Sequence, residues 1–203
     1  ADLIDDDSHS LGERLWPSFS FDRREQMDFA NGCALNVLLK HPVVTGASMA
    51  FRRQYFDLVA PIPAKQIHDR WISFLLATRG KFAVISDRLM QYRQHQNQQL
   101  GPGPRTLWER TRRARLTKPS FYFDEIERLC EFRERLEKYE TASSSAERAL
   151  KEIGKKISHL EHRAGLPSIR VARIPGVLRQ TFSGYYWRYS TGWSSIAKDL
   201  LVP

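Results

Sequence analysis

The stretch QIHDRWISFLLATRG, residues 66–80, decides how the rest of the chain is read. It sets His68 and Asp69 side by side ahead of an amphipathic run. Ile67, Trp71, Phe74 and Leu75 fall at helical spacing, and Gly80 is placed to close the helix. An acid at the mouth of a helix has two physical uses. Asp69 can accept hydrogen bonds from the unpaired amides of a first turn and serve as a cap. Alternatively, its carboxylate stands at the end of an element as a catalytic base aimed into a cleft.

Working outward, KFAVISD (81–87) predicts a short strand, and RLMQYRQHQNQQLG (88–101) an edge strand running into a polar loop. On the other side, PVVTGASMAFRR (42–53) begins with β-branched residues and carries a glycine in its middle. That pattern predicts a strand in which Gly46 lets a ligand or a neighbouring backbone come close. QYFDLVAPIP is a short helix stopped by Pro61 and Pro63, and residues 29–41 have helical spacing at Ala34, Leu35, Leu38 and Leu39. Residues 1–30 are polar and acidic and read as loop, entered from a strand at Asp2–Ile4. GPGP at 101–104 is the clearest boundary in the sequence.

Beyond the boundary the period becomes helical. Tyr122, Ile126, Leu129, Phe132, Leu136 and Tyr139 share one face, and so do Leu150, Ile153, Ile157 and Leu160. With TASSS (141–145) as a turn, these runs predict an antiparallel helical hairpin over about 121–163. The last segment, GYYWRYSTGWSSIAKDLLVP, is aromatic and then amphipathic.

The charge is unevenly spread. Residues 1–104 hold 12 Lys+Arg against 11 Asp+Glu, whereas residues 105–203 hold 20 against 12. The net +9 therefore sits almost wholly in the second half and points to an anionic partner there. Charge alone leaves a membrane surface, nucleic acid and an acidic protein equally open. Cys33 and Cys130 provide no disulfide framework, which favours a reducing compartment. The acidic start does not read as a signal peptide, and no apolar run reaches the roughly 18–20 residues of a bilayer span. The chain begins with Ala rather than Met, so it is either processed or a piece of something longer.

Taken together, VTGASMAFRRQYFDLVAPIP, HDRWISFLLATRGKFAVISDRLMQYRQHQNQQLG and the terminal YYWRYSTGWSSIAKDLL resemble the second half of a family 2 inverting glycosyltransferase, of the bacterial rhamnosyltransferase-like kind. The resemblance covers residues 1–104 and the last twenty residues; between them the tail matches only in being helical and basic. It implies an α/β fold, namely the C-terminal, acceptor-side part of a GT-A domain with a Rossmann-like mixed sheet (1–104), followed by a basic α-helical tail (105–203).

The resemblance also assigns roles. Asp69 would be the base that takes the acceptor hydroxyl's proton, His68 would shape the site, and Trp71 would line the acceptor pocket or anchor the helix. Gly46 would lie on the strand flooring the acceptor site. Arg93 and His95 would close over the donor diphosphate. Asp2 would be the second aspartate of an Asp-X-Asp motif whose first member lies just upstream, and with His95 it would hold a divalent metal, Mn²⁺ or Mg²⁺. The implied partners are a nucleotide-sugar donor and a saccharide or lipid-linked acceptor, in cell-surface polysaccharide synthesis. The implied place is the cytoplasm, at the inner face of the plasma membrane.

Three further expectations follow. With the nucleotide-binding half absent, the 203 residues by themselves should have little or no transferase activity. RTLWERTRRARLTK (105–118) should dock on anionic headgroups, helped by Tyr185, Tyr186, Trp187, Tyr189 and Trp193. The rival reading is a non-catalytic basic helical module for a membrane, nucleic-acid or protein partner. Nucleic acid is disfavoured, since Glu109, Glu125, Glu127, Glu131 and Glu134 interrupt the arginines.

Overall fold

A computed structural model describes residues 1–95, 120–139 and 144–201. The GPGP boundary, the basic segment 105–118 and residues 141–143 of the expected turn lie outside the described residues.

The chain starts with strand β1 (Asp2–Ile4), which turns back as β2 (Ser10–Arg14). Strand β3 (Gln91–Arg93) joins the other side of β1, so the sheet has the order β2-β1-β3. β1 runs antiparallel to β2 and parallel to β3, with Asp2 opposite Gln91 and Ile4 opposite Arg93. The molecule is thus mixed α/β, with a small sheet and a larger helical part.

Between β2 and β3 lie short helices: α1 (Leu15–Ser18), α2 (Arg23–Ala30), α3 (Ala34–Leu38), α4 (Phe56–Val59) and α5 (His68–Leu76). Asp22 caps α2 by accepting from the Glu25 amide at 2.9 Å. After the sheet come the long helices α6 (Ser120–Tyr139) and α7 (Ser144–Ala164), then α8 (Arg170–Phe182), α9 (Tyr185–Tyr189) and α10 (Trp193–Leu201).

Two expected strands are not strands. Residues 42–53 pair with nothing in the sheet; Gly46–Ser48 and Arg53–Tyr55 instead make 3₁₀ turns. Residues 81–87 also lack a ladder, although Phe82 and Val84 do pack alternately against the core. Gly80 does not cap α5, because the helix ends at Leu76 with Ala77 as its C-cap. Residues 1–30 hold more structure than the loop expected there, since β2, α1 and α2 lie within them. The helical hairpin, the β1 strand and the edge strand at 91–93 match expectation.

One hydrophobic core crosses residue 104. It takes Phe29, Val37 and Leu39 from the first part, Trp71, Phe74 and Leu75 from α5, and Leu129, Phe132, Leu136, Ile153 and Leu160 from the hairpin. Trp71 and Phe74 both stack on Phe132, at ring-centre distances of 4.9 and 4.2 Å. Truncating any of these three rings to Ala should cost about 3–5 kcal/mol. A second, smaller cluster of Val177, Tyr186 and Ile196 joins α8, α9 and α10. Among the described residues, no helix is long and apolar enough to cross a membrane.

Candidate functional site around Asp69

Helix α5 exists because every residue from Trp71 to Leu76 is buried, and its one buried polar side chain, Ser73, donates back to the Arg70 carbonyl at 3.2 Å. What reaches the surface is its first turn. The N-cap is Ile67, in extended conformation and with no side-chain cap, so Asp69 is not the capping residue. It sits inside the first turn, where the partial positive charge of the helix terminus favours a carboxylate.

Both carboxylate oxygens of Asp69 are engaged. Oδ1 accepts from the amide of Arg70 at 2.7 Å, and Oδ2 accepts from the amide of Gly46 at 3.2 Å. The second bond ties the 3₁₀ turn at 46–48 to the head of α5. His68 comes closer still to that turn: a Cβ built on Gly46 would lie 2.3 Å from His68 Nε2. Gly46 therefore does allow a close approach, but by an imidazole and not as the floor of a strand. Gly46, His68 and Asp69 form one group, with His68 exposed and Asp69 half-buried.

Trp71 belongs to the core. It is 1% exposed, its indole N–H donates to the Val59 carbonyl at 2.8 Å, and the Arg135 guanidinium lies 5.2 Å from its ring centre. Of its two expected roles, the buried anchor is the one its surroundings allow.

The head of α5 is braced from α6. Arg70 donates to both oxygens of Glu125, Gln66 donates to Glu131 and to the Arg128 carbonyl, and Lys65 pairs with Glu127. Arg135 donates to the carbonyls of Leu58, Ala60 and Pro61 just ahead of that segment. This bracing was not legible in the sequence, because its partners lie about 55 to 75 residues apart and only the fold brings them together.

Asp2 lies on β1, Arg93 on β3 and His95 just beyond β3. Arg93 Nη1 donates to the carbonyls of Asp5 and Asp6 at 2.9 and 2.6 Å, and Nη2 to Ser8 Oγ at 3.0 Å. It holds the acidic loop in shape. Asp2 pairs with Arg88 at 3.2 Å. The parallel register sets Asp2 beside Gln91, and the ladder continues one residue further through the Gln94 amide to the Ile4 carbonyl. His95 follows two residues beyond the end of β3 and is exposed.

Two ligands of one ion lie within about 4–5 Å of each other, as bonds near 2.1 Å require, and Asp2 is already paired with Arg88. Among the described residues, no group of three or more His, Cys, Asp or Glu is arranged to hold an ion.

The helical part contains a buried polar network that sequence reading missed. His159 is fully buried, with Nδ1 2.8 Å from Gln180 Oε1 and Nε2 3.0 Å from Ser190 Oγ. Arg163 donates to both oxygens of Asp199, at 2.6 and 2.8 Å, and to Ser190 Oγ at 2.9 Å. Tyr186 donates to Asp199 at 2.7 Å. Burial, with Arg163 and Lys156 nearby, pushes the His159 pKa down to about 4 against the hydrogen bond that His159 Nδ1 donates to Gln180 Oε1. Burial likewise lowers Lys156, which donates to the Tyr189 carbonyl, to about 8. Each of these groups is satisfied within the protein, so the network fastens α8, α9 and α10 to α7.

No protein-family model matches the chain, and comparison with curated proteins and with solved structures finds no significant match.

Proposed function

We propose that the chain is the acceptor-side part of an inverting glycosyltransferase of the GT-A kind, with Asp69 as its base. The observation that carries the reading is the setting of Asp69: a half-buried carboxylate at the head of a helix braced from α6, oriented by the Gly46 amide and flanked by exposed His68. That setting suits a group that must face a substrate hydroxyl in one orientation.

In the proposed step, the acceptor hydroxyl loses its proton to Asp69 as its oxygen attacks the anomeric carbon of the donor sugar. The bond from that carbon to the diphosphate oxygen breaks on the opposite face, and the electron pair leaves with the nucleoside diphosphate. The configuration inverts. Arg93 contributes by holding the acidic loop, and His95, exposed at the end of β3, is the side chain left to reach a diphosphate oxygen.

The acceptor class is a saccharide or lipid-linked saccharide, and the setting is polysaccharide assembly at the cytoplasmic side of a membrane. The rival reading, a non-catalytic basic helical module, is favoured by one observation: the helical part turns an apolar face to water.

The test is turnover of a panel of nucleotide sugars with saccharide acceptors by the complete gene product. Release of nucleoside diphosphate with a product of inverted anomeric configuration, read by proton NMR, is expected. Retention of configuration, or no diphosphate release with any donor, contradicts the proposal.

A further inference from the structure

Helix α8 is folded with the wrong face out for a water-exposed helix. Its inward side carries Arg173, 6% exposed and donating to the carbonyls of Pro167 and Asp199, beside Val177 and the half-buried Gln180. Its outward side carries Val171, Ile174, Leu178 and Phe182, at steps of 3, 4 and 4, and these are 73%, 43%, 47% and 85% exposed. A surface helix of a globular protein shows the reverse arrangement. The polar network around His159 and Asp199 enforces the inversion, because Gln180 and Arg173 satisfy partners inside.

We infer that this face of α8 docks on a lipid bilayer carrying anionic headgroups. The charge around it selects the occupant. From Gly165 to Leu201 the chain has five basic residues, Arg170, Arg173, Arg179, Arg188 and Lys198, and one acid. That acid, Asp199, is 5% exposed and bound by Arg163 and Tyr186. The segment thus shows no carboxylate to an approaching anionic surface, while Arg170 and Arg179 stand exposed on α8 itself.

Two exposed tryptophans follow, Trp187 and Trp193, packed edge to face at 5.5 Å and 40% and 71% exposed. Indoles prefer the boundary between acyl chains and headgroups. A second copy of the chain is a poor occupant, since two such faces would bring their arginines together. An amphipathic helix of this kind lies in the plane of the interface, sunk about 5–10 Å into the headgroup boundary. This surface is argued independently of the transferase reading, and its test needs no turnover.

The experiment is flotation of the 203-residue chain with vesicles of phosphatidylcholine, with and without phosphatidylglycerol. The chain is expected to partition about tenfold better onto the anionic vesicles, and brominated lipid is expected to quench its tryptophan fluorescence. The double variant L178S/F182S, which alters only exposed side chains, is expected to lose about tenfold in binding with an unchanged circular dichroism spectrum. R170Q/R179Q is expected to lose the preference for anionic over neutral vesicles.

No binding to anionic vesicles overturns the inference. So does wild-type binding by L178S/F182S, which would assign the membrane contact to residues 105–118. Concentration-dependent self-association that L178S/F182S abolishes, with vesicle binding untouched, would assign the face to a second copy. If L178S/F182S misfolds, absence of quenching by brominated lipid in the wild-type chain still overturns it.

Discussion

Arg70 on α5 reaches Glu125 on α6, placing Nη1 2.7 Å from Oε2 while Nη2 donates to Oε1, with both side chains largely buried. The residue next to the proposed base is thus clamped to the helical part of the molecule. Glu125 is held below the ordinary carboxylate range. Burial alone would raise it, but the Arg70 charge and hydrogen bonds outweigh that, with Lys156 and Arg128 adding to them.

Breaking this pair from one side should be costly. R70M leaves Glu125 buried without its partner and is expected to destabilise the fold by about 3–5 kcal/mol, read as a lower midpoint in urea unfolding. The double variant R70M/E125L should recover most of that loss. Because the Glu125 pKa is depressed on folding, the pair's contribution is present above the unfolded carboxylate pKa and fades as pH falls through the lower folded value. An R70M variant as stable as the wild type would show that the clamp holds nothing.

Gly46 and His68 make a sharper test of the site's geometry. G46A would place a methyl 2.3 Å from His68 Nε2, so the imidazole must swing away. His68 is exposed and can move, so the stability change should stay within about 1 kcal/mol. The His68 ring signals in an NMR spectrum should shift clearly. In an H68A background the same G46A change should be close to neutral. Unshifted His68 signals in G46A would mean that the ring does not stand over Gly46.

His159 gives the helical part a pH dependence of known sign. Its folded pKa of about 4 lies below the 6.5 of an ordinary imidazole, so the unfolded chain binds the extra proton between those values. Stability is then full above pH 6.5 and falls as pH drops toward 4, by about 3 kcal/mol in all. Urea unfolding of wild type and H159Q between pH 7 and 4.5 checks this, and H159Q should show a flatter profile. Parallel profiles would remove His159 as the cause.

How far the sequence carried depended on whether a signal was local. The hairpin α6–α7 was legible because Leu129, Phe132, Leu136, Ile153, Ile157 and Leu160 repeat at helical steps and are all buried. At 81–87 the alternation was real, since Phe82 and Val84 both face the core, but a strand also needs a neighbouring strand to pair with, and none pairs with it among the described residues. Val43, Val44 and Thr45 misled for the same reason. Asp69 was legible as a site candidate, whereas its orientation by Gly46, 23 residues away, was not.

Trp71 was ambiguous because an aromatic on a helix fits a pocket or a core equally well until Phe132 and Arg135 arrive from beyond residue 104. The His159 and Asp199 network was illegible throughout. Its members sit on α7, α8, α9, α10 and the Ser190 turn, so only the fold brings them together.

The most direct measurement is turnover by the complete gene product carrying D69N, set beside the wild-type protein with the same donor and acceptor. The isosteric amide has one oxygen, so it can keep the hydrogen bond from Gly46 only by giving up the one from Arg70, and it cannot take a proton; kcat should fall by about 10²–10⁴-fold with folding intact. A D69N enzyme that turns over within a few-fold of the wild type would contradict Asp69 as the base, and with it the reading of this chain as the acceptor side of an inverting transferase.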